Sequence, residues 1–177
     1  MLIHINSYPG VGKLTIGRAL AEKIGGKLLD NHSIYNVAFA VTVFRSPAFY
    51  DTVRTVRDLA YQRVLELPAT LPVILTNWYS QGSTWGEENW EETISLARRR
   101  PSPLFVVILT CSPEENMRRI QNSGRDAMRK PRSVEMTASN QSGRPLIDRG
   151  GDRLLRLDVT EMSADSAATS IAEWLTE

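Results

Sequence analysis

Pro9, Gly10, Gly12, Lys13 and Thr15 fall within one short stretch, Ser7-Tyr-Pro-Gly-Val-Gly-Lys-Leu-Thr-Ile-Gly17, directly after the apolar run Leu2-Ile3-His4-Ile5. A strand, a glycine-rich turn and a helix in that order form a cradle for polyphosphate. Two glycines let the backbone approach a ligand with no side chain in the way. The amides of residues 10–15 would then point at phosphate oxygens, and the positive end of the following helix adds to the attraction. Lys13 would reach the outer phosphates as a point charge. The candidate phosphate-binding set is therefore Gly10, Val11, Gly12, Lys13, Leu14 and Thr15. Two positions depart from the strict pattern: Ser7 stands where a glycine is expected, and Leu14 where a serine or threonine is expected.

Other residues could complete phosphoryl-transfer chemistry, which needs positioning, positive charge, a metal and a group that orients the acceptor. Asp30 ends a short apolar run and is followed by Asn31 and His32. It could orient an acceptor hydroxyl or sit near Mg²⁺, and His32 could act as a base; equally, Asp30 or Asn31 could cap the next helix. Asn77-Trp78 stands where a second acid would be expected: Asn77 could contact substrate or a metal-bound water and Trp78 could wall a pocket, or the two form a polar loop over a surface tryptophan. Arg118, Arg119, Arg125, Arg129, Lys130 and Arg132 form a basic run, which is either a phosphate-gripping lid or a solvated face. Arg54 and Arg57, three apart on one helix face, could grip an anionic acceptor or lie on the surface.

These residues must be held by a scaffold that the periodicity outlines. Strands are expected at Leu2–Asn6, Lys27–Asp30, Pro72–Thr76, Leu104–Thr110 and Leu154–Asp158. Helices are expected between them. Ile16, Leu20 and Ile24 mark the first helix, which Gly25-Gly26 stops. Ser33 is a candidate cap for a helix bearing Ile34, Val37, Val41 and Phe44. Ser46-Pro47 opens another, with Phe49, Val53, Val56, Ala60 and Val64 as its stripe. Thr84 and Glu87 have capping-box spacing, and Arg98-Arg99-Arg100 would complement that helix's dipole. Ser112-Pro113-Glu114-Glu115 starts the next helix, and Ser163–Thr176 closes the chain. Alternating strands and helices imply right-handed crossovers and a parallel sheet covered on both faces. Residues 121–150, rich in Arg, Ser, Gly and Asn, read as a mobile excursion from that sheet.

Composition restricts the function classes. The 177 residues suit one domain, with 42% hydrophobic and 23% charged residues. A net charge of +1 gives no global field for nucleic acid or an anionic membrane. Cys111 is the single cysteine, so no internal disulfide is possible, and a reduced cytoplasmic protein is expected. No segment approaches the ~18 apolar residues needed to span a bilayer.

The string Pro-Gly-x-Gly-Lys-x-Thr resembles that of adenylate kinase and related nucleoside monophosphate and small-molecule kinases, shikimate kinase among them; in adenylate kinases a threonine likewise follows a non-hydroxyl residue after the lysine. The resemblance implies an α/β, three-layer P-loop NTPase fold: a five-stranded parallel sheet with helices on both faces, a helical acceptor-binding insert at about 33–67 and an arginine-rich lid at about 121–150. It implies ATP and Mg²⁺ as ligands, with Lys13, Asp30, Arg119 and Arg125 as catalytic residues, Thr15 and Asp30 near the metal, and adenine near Asp158-Val159-Thr160. The implied partner is a small-molecule acceptor. The strand-two and strand-three motifs that mark shikimate or adenylate kinases are absent, so no particular acceptor carries over. A nucleotide-binding regulator or NTPase without kinase chemistry, and a nucleotide or nucleic-acid-end kinase, remain the alternatives.

Overall fold

A computed structural model describes residues 1–121 and 144–177. Five strands, β1 (Leu2–Ser7), β2 (Lys27–Asp30), β3 (Val73–Asn77), β4 (Leu104–Thr110) and β5 (Arg153–Asp158), form one sheet in the order β2-β3-β1-β4-β5. Every pairing is parallel. β1 is therefore central, and its carboxyl end faces the edge where ligands bind in open α/β sheets. β1 is buried at every position, as a strand covered on both faces must be.

Helices fill both faces. α1 (Lys13–Ile24) and α6 (Ala164–Thr176) cover one, with Ile16, Leu20, Ala168 and Ile171 packed against Ile3, Ile5 and Val107. Cys111 lies half-buried beside this cluster, where burial pushes its thiol pKa up. α3 (Pro47–Glu66) and α4 (Thr84–Arg99) contribute Tyr61, Val64, Trp90 and Ile94 to the core on the opposite face. α5 (Pro113–Gln121) follows β4, and α2 (Asn31–Val41) joins β2 to α3. Among the described residues, no helix is long and apolar enough to cross a membrane.

Several local expectations shift. Asp30, not Ser33, caps α2: its carboxylate accepts the His32 amide at 3.2 Å, so the helix starts at Asn31. Ser83, not Thr84, caps α4 by accepting the Gly86 amide, while Glu87 reaches back to the Gly82 amide. The capping box expected of Thr84 and Glu87 is therefore not formed: the cap lies one residue earlier, and Glu87, four residues on, accepts from the residue before the cap. In α3 the buried stripe runs through Arg57 and Tyr61 instead of Val56 and Ala60. Arg57 stays inside because it donates to Asn89 at 2.9 Å and pairs with Asp58. Arg100 does not serve its own helix. It is 2% exposed and donates to the carbonyls of Val64, Pro68 and Leu71, each at 2.7 Å, which closes the end of α3.

Of the expected excursion, Gln121 belongs to α5 and residues 144–150 are tied to the rest of the fold; the remainder lies outside the described residues. Ser80 and Leu146 form an antiparallel bridge, Tyr8 donates its hydroxyl to the Arg144 carbonyl at 2.6 Å, and Leu146 and Ile147 are buried. Arg125, Arg129, Lys130 and Arg132 lie outside the described residues.

Candidate active site

The stretch after β1 makes the expected turn. Gly10 and Gly12 adopt φ of +93° and +113°, the region that glycine alone enters readily. Gly10 is also sterically required: a Cβ there would stand 2.5 Å from Ile120 and 2.7 Å from the Asn116 amide nitrogen. Gly12 caps α1 without a side-chain bond, leaving the first amides of the helix to an external acceptor. Ser7 is the last residue of β1, paired with Leu109, so it needs no glycine freedom. Lys13 folds its Nζ towards the Ser7 and Tyr8 carbonyls, both at 3.4 Å. Leu14 is 8% exposed, whereas Thr15 is exposed on the cavity wall.

The turn is fixed from outside. Asn116 donates to the Pro9 carbonyl at 3.0 Å. Arg119 donates to the Val11 carbonyl at 2.6 Å, to Val159 at 2.7 Å, and through Nε to Glu115 at 2.5 Å. A guanidinium fork suits three carbonyl and carboxylate acceptors in different directions. Arg118 first, and then Arg119, hold the Glu115 carboxyl down to about 2. Arg119 was expected on a lid. It instead ties the phosphate turn to the segment after β5.

A cavity of about 1010 Å³ runs along this edge of the sheet. On the β4–β5 side its wall includes Arg118, Arg119 and residues Thr160 to Ala164, beside the expected adenine position. Thr160 is held by Asp158, which accepts its amide at 2.8 Å. On the β2–β3 side the wall is Asn31, His32, Tyr35, Phe39, Phe44 and Trp78. The phosphate turn, on the central strand, lies between the two sides.

Asp30 is set back from that wall. It is 7% exposed; Oδ1 accepts the Thr76 hydroxyl at 2.5 Å while Oδ2 caps α2. Asn77 is also inside, accepting from or facing His4 Nε2 at 3.1 Å. His4 itself is fully buried, stacked on Tyr79 and edge-on to Trp90. Burial lowers its pKa to about 3, against the raising effect of the Asn77 contact. Arg54 is held by a two-point pair with Glu88 at 2.7 and 2.9 Å. The aromatic wall had no signature in sequence spacing, because its members come from a helix, a loop and the end of β3. Among the described residues no three His, Cys, Asp or Glu side chains gather as a metal site.

No family model and no curated protein matches this chain. Solved structures do. A presumed kinase from Chloroflexus aurantiacus superposes with a TM-score of 0.71 at 20% identity, covering 99% of this chain and 95% of its own. The Mycobacterium tuberculosis APS kinase, solved with AMPPNP and APS, gives 0.65 at 16% identity, covering 99% and 97%. This chain has a P-loop kinase-like fold. Shikimate kinase from Bacteroides thetaiotaomicron shares it at a TM-score of 0.56 and 18% identity, covering 100% and 99%. The acceptors of these kinases differ chemically, so the P-loop kinase-like fold by itself selects none of them.

Proposed function

We propose that this chain is an ATP-dependent kinase of a small hydroxylated molecule. One observation carries the reading: a single cavity extends to both sides of a phosphate-binding turn, with room for a nucleotide on the β4–β5 side and an acceptor on the β2–β3 side. The turn fits a triphosphate, since its glycines leave the approach open and its helix amides lack side-chain caps. Mg²⁺ would screen phosphate charge when bound. Thr15, and Asp30 through water, are the proposed residues on its side. Leu14 offers it no oxygen, which leaves most of its shell to phosphates and water.

In this reading Lys13 and the amides of residues 10–15 hold the outer phosphates. The acceptor oxygen bonds to the γ-phosphorus, the bond from that phosphorus to the β–γ bridging oxygen breaks, and ADP leaves. The hydroxyl proton passes to a base at the head of α2. Asp30 fixes that head, where Asn31 and His32 meet the cavity. Arg119 acts by holding the turn, and Arg125 is proposed to supply charge from outside the described residues. A second reading, a nucleotide-binding regulator without transfer, draws on the engagement of both Asp30 oxygens.

ADP release measured with and without an acceptor panel separates them. A kinase releases ADP only when an acceptor is present, and Lys13→Ala lowers that rate by on the order of a thousandfold. ATP-dependent thermal stabilisation with no acceptor-dependent ADP would leave the regulator reading standing.

A further inference from the structure

Charge is unevenly spread along the cavity. Its two lining carboxylates, Glu115 and Glu161, stand on the β4–β5 side, and Glu115 is already shared by Arg118 and Arg119. On the β2–β3 side the described lining holds no carboxylate. Asp30 is set back there, with one oxygen on the Thr76 hydroxyl and the other on the His32 amide. Arg18 also lines the cavity, and it makes no hydrogen bond or ion pair with any described residue. The arginines of α3 are engaged instead: Arg54 holds Glu88 through two bonds, and buried Arg57 pairs with Asp58 and donates to Asn89.

The geometry of α1 aims Arg18 at the acceptor side. Arg18 stands one turn beyond Leu14 on the same helix face, and Leu14 and Thr15 line the cavity with it. Gly17 seats α1 on the sheet beside Leu28 of β2 and Thr76 of β3; a Cβ there would stand 3.1 Å from each. The flank towards α6 is marked by Lys23, which pairs with Asp165 at 3.3 Å. With successive residues turning by about 100°, Arg18 projects about 140° around the helix from Lys23, on the flank that borders β2 and α2. Across the cavity from α1 lies the aromatic wall, where Phe39 is 5.6 Å from Phe44 and 6.3 Å from Tyr35, centroid to centroid. The Arg45 guanidinium stands 5.1 Å over the Phe44 ring and adds a second positive charge beside that wall.

We propose that Arg18 sets acceptor specificity: it pairs with a carboxylate or phosphoryl group of an anionic acceptor whose body packs on Phe39 and Phe44. A planar guanidinium meets either anion at two points, and a cleft wall of one sign concentrates ligands of the other. Anion recognition is thereby placed on the helix that follows the phosphate turn and not on the α3 arginines. The proposal rests on the kinase reading for the transfer step, but binding can be measured without it.

Calorimetry on the full chain, with ADP and Mg²⁺ present, tests it with compounds paired to differ only in the anionic group. The pairs are para-hydroxymethylbenzoate and its methyl ester, shikimate and its methyl ester, and AMP and adenosine. At least one anion should bind about tenfold tighter than its neutral partner. Arg18→Gln should cut that preference to roughly threefold or less while ADP affinity stays within about twofold. Arg18 is exposed, so the variant retains the fold. The proposal is overturned if no anion is preferred, if nothing in the set binds at millimolar concentration, or if the preference survives Arg18→Gln. It is equally overturned if Arg45→Gln alone abolishes the preference, or if ADP affinity falls in step with the anion's, since Arg18 would then serve the nucleotide. If the anion binds as expected yet ATP is not turned over with it, the role of Arg18 stands and the kinase reading fails.

Discussion

The two sides of the phosphate turn are built by different means. On the β4–β5 side, backbone geometry does the positioning and polar side chains lock it: Asn116 holds Pro9, and Arg119 holds Val11 and Val159. On the β2–β3 side, aromatic side chains form the wall, and Arg54 pairs with Glu88. A site for a ligand group of fixed shape can be made from a fixed backbone. A site for a variable acceptor is made from side chains that can be exchanged without disturbing the turn.

Gly10→Ala should strike the locked side hardest. It places a Cβ against Ile120 and Asn116 in a conformation with positive φ, at a cost of about 3 kcal/mol, with loss of ATP-dependent stabilisation. Urea unfolding with and without ATP would check both parts. Arg119→Lys comes next. It keeps the charge but loses the fork, and should cost about 2–3 kcal/mol and weaken ATP binding by roughly tenfold. If lysine serves as well as arginine, the turn is not held in the way described.

His4 tests the core around Tyr79 and Trp90. The unfolded chain takes up a proton below the ordinary histidine pKa near 6.5, and the folded protein resists it until about 3. The stability this provides is therefore present above pH 6.5 and is lost as pH falls towards 3. Between pH 7 and pH 5 the loss should be about 2 kcal/mol, and His4→Gln should remove that slope. Urea midpoints at both pH values decide it. Arg54→Ala should have the smallest effect, about 0.5 kcal/mol, because the pair with Glu88 is only partly buried and screened by solvent. A double-mutant cycle with Glu88→Ala measures it. A large coupling would show that the acceptor side is also held by charge.

The same division governed what could be read from the sequence. The turn was legible because its glycines, lysine and threonine are neighbours in the chain and follow a strand. Most strands and helices were legible because apolar periodicity records burial; the stripe expected on α2 was not, since Val37, Val41 and Phe44 are exposed and Phe44 lies beyond the end of the helix. Arg57 and Arg100 were misjudged because periodicity assigns arginine to the surface, whereas partners more than 25 residues away make their burial tolerable. Arg119, on the helix after β4, was read as a phosphate-gripping charge because the groups that hold it, on Val11, Glu115, Val159 and Thr160, come together only when the ends of β1 and β5 meet α5. Apart from Trp78, the aromatic wall was missed for a related reason: Phe44 read as part of a helical stripe and Phe39 carried no signal of its own, and only the fold turns them to a common surface.

Asn6 shows how the sheet parts at its working edge without leaving a hole. Its amide nitrogen donates to the carbonyls of Tyr79 and Ile147, and its oxygen accepts the Tyr79 amide, each at 2.9 Å. One side chain thereby imitates a peptide unit and continues the ladder past the point where the strands diverge. Hydrolysis of that amide to a carboxylate would leave two carbonyl oxygens facing an anion, so chemical ageing at a single nitrogen would unfasten the returning chain from the central strand.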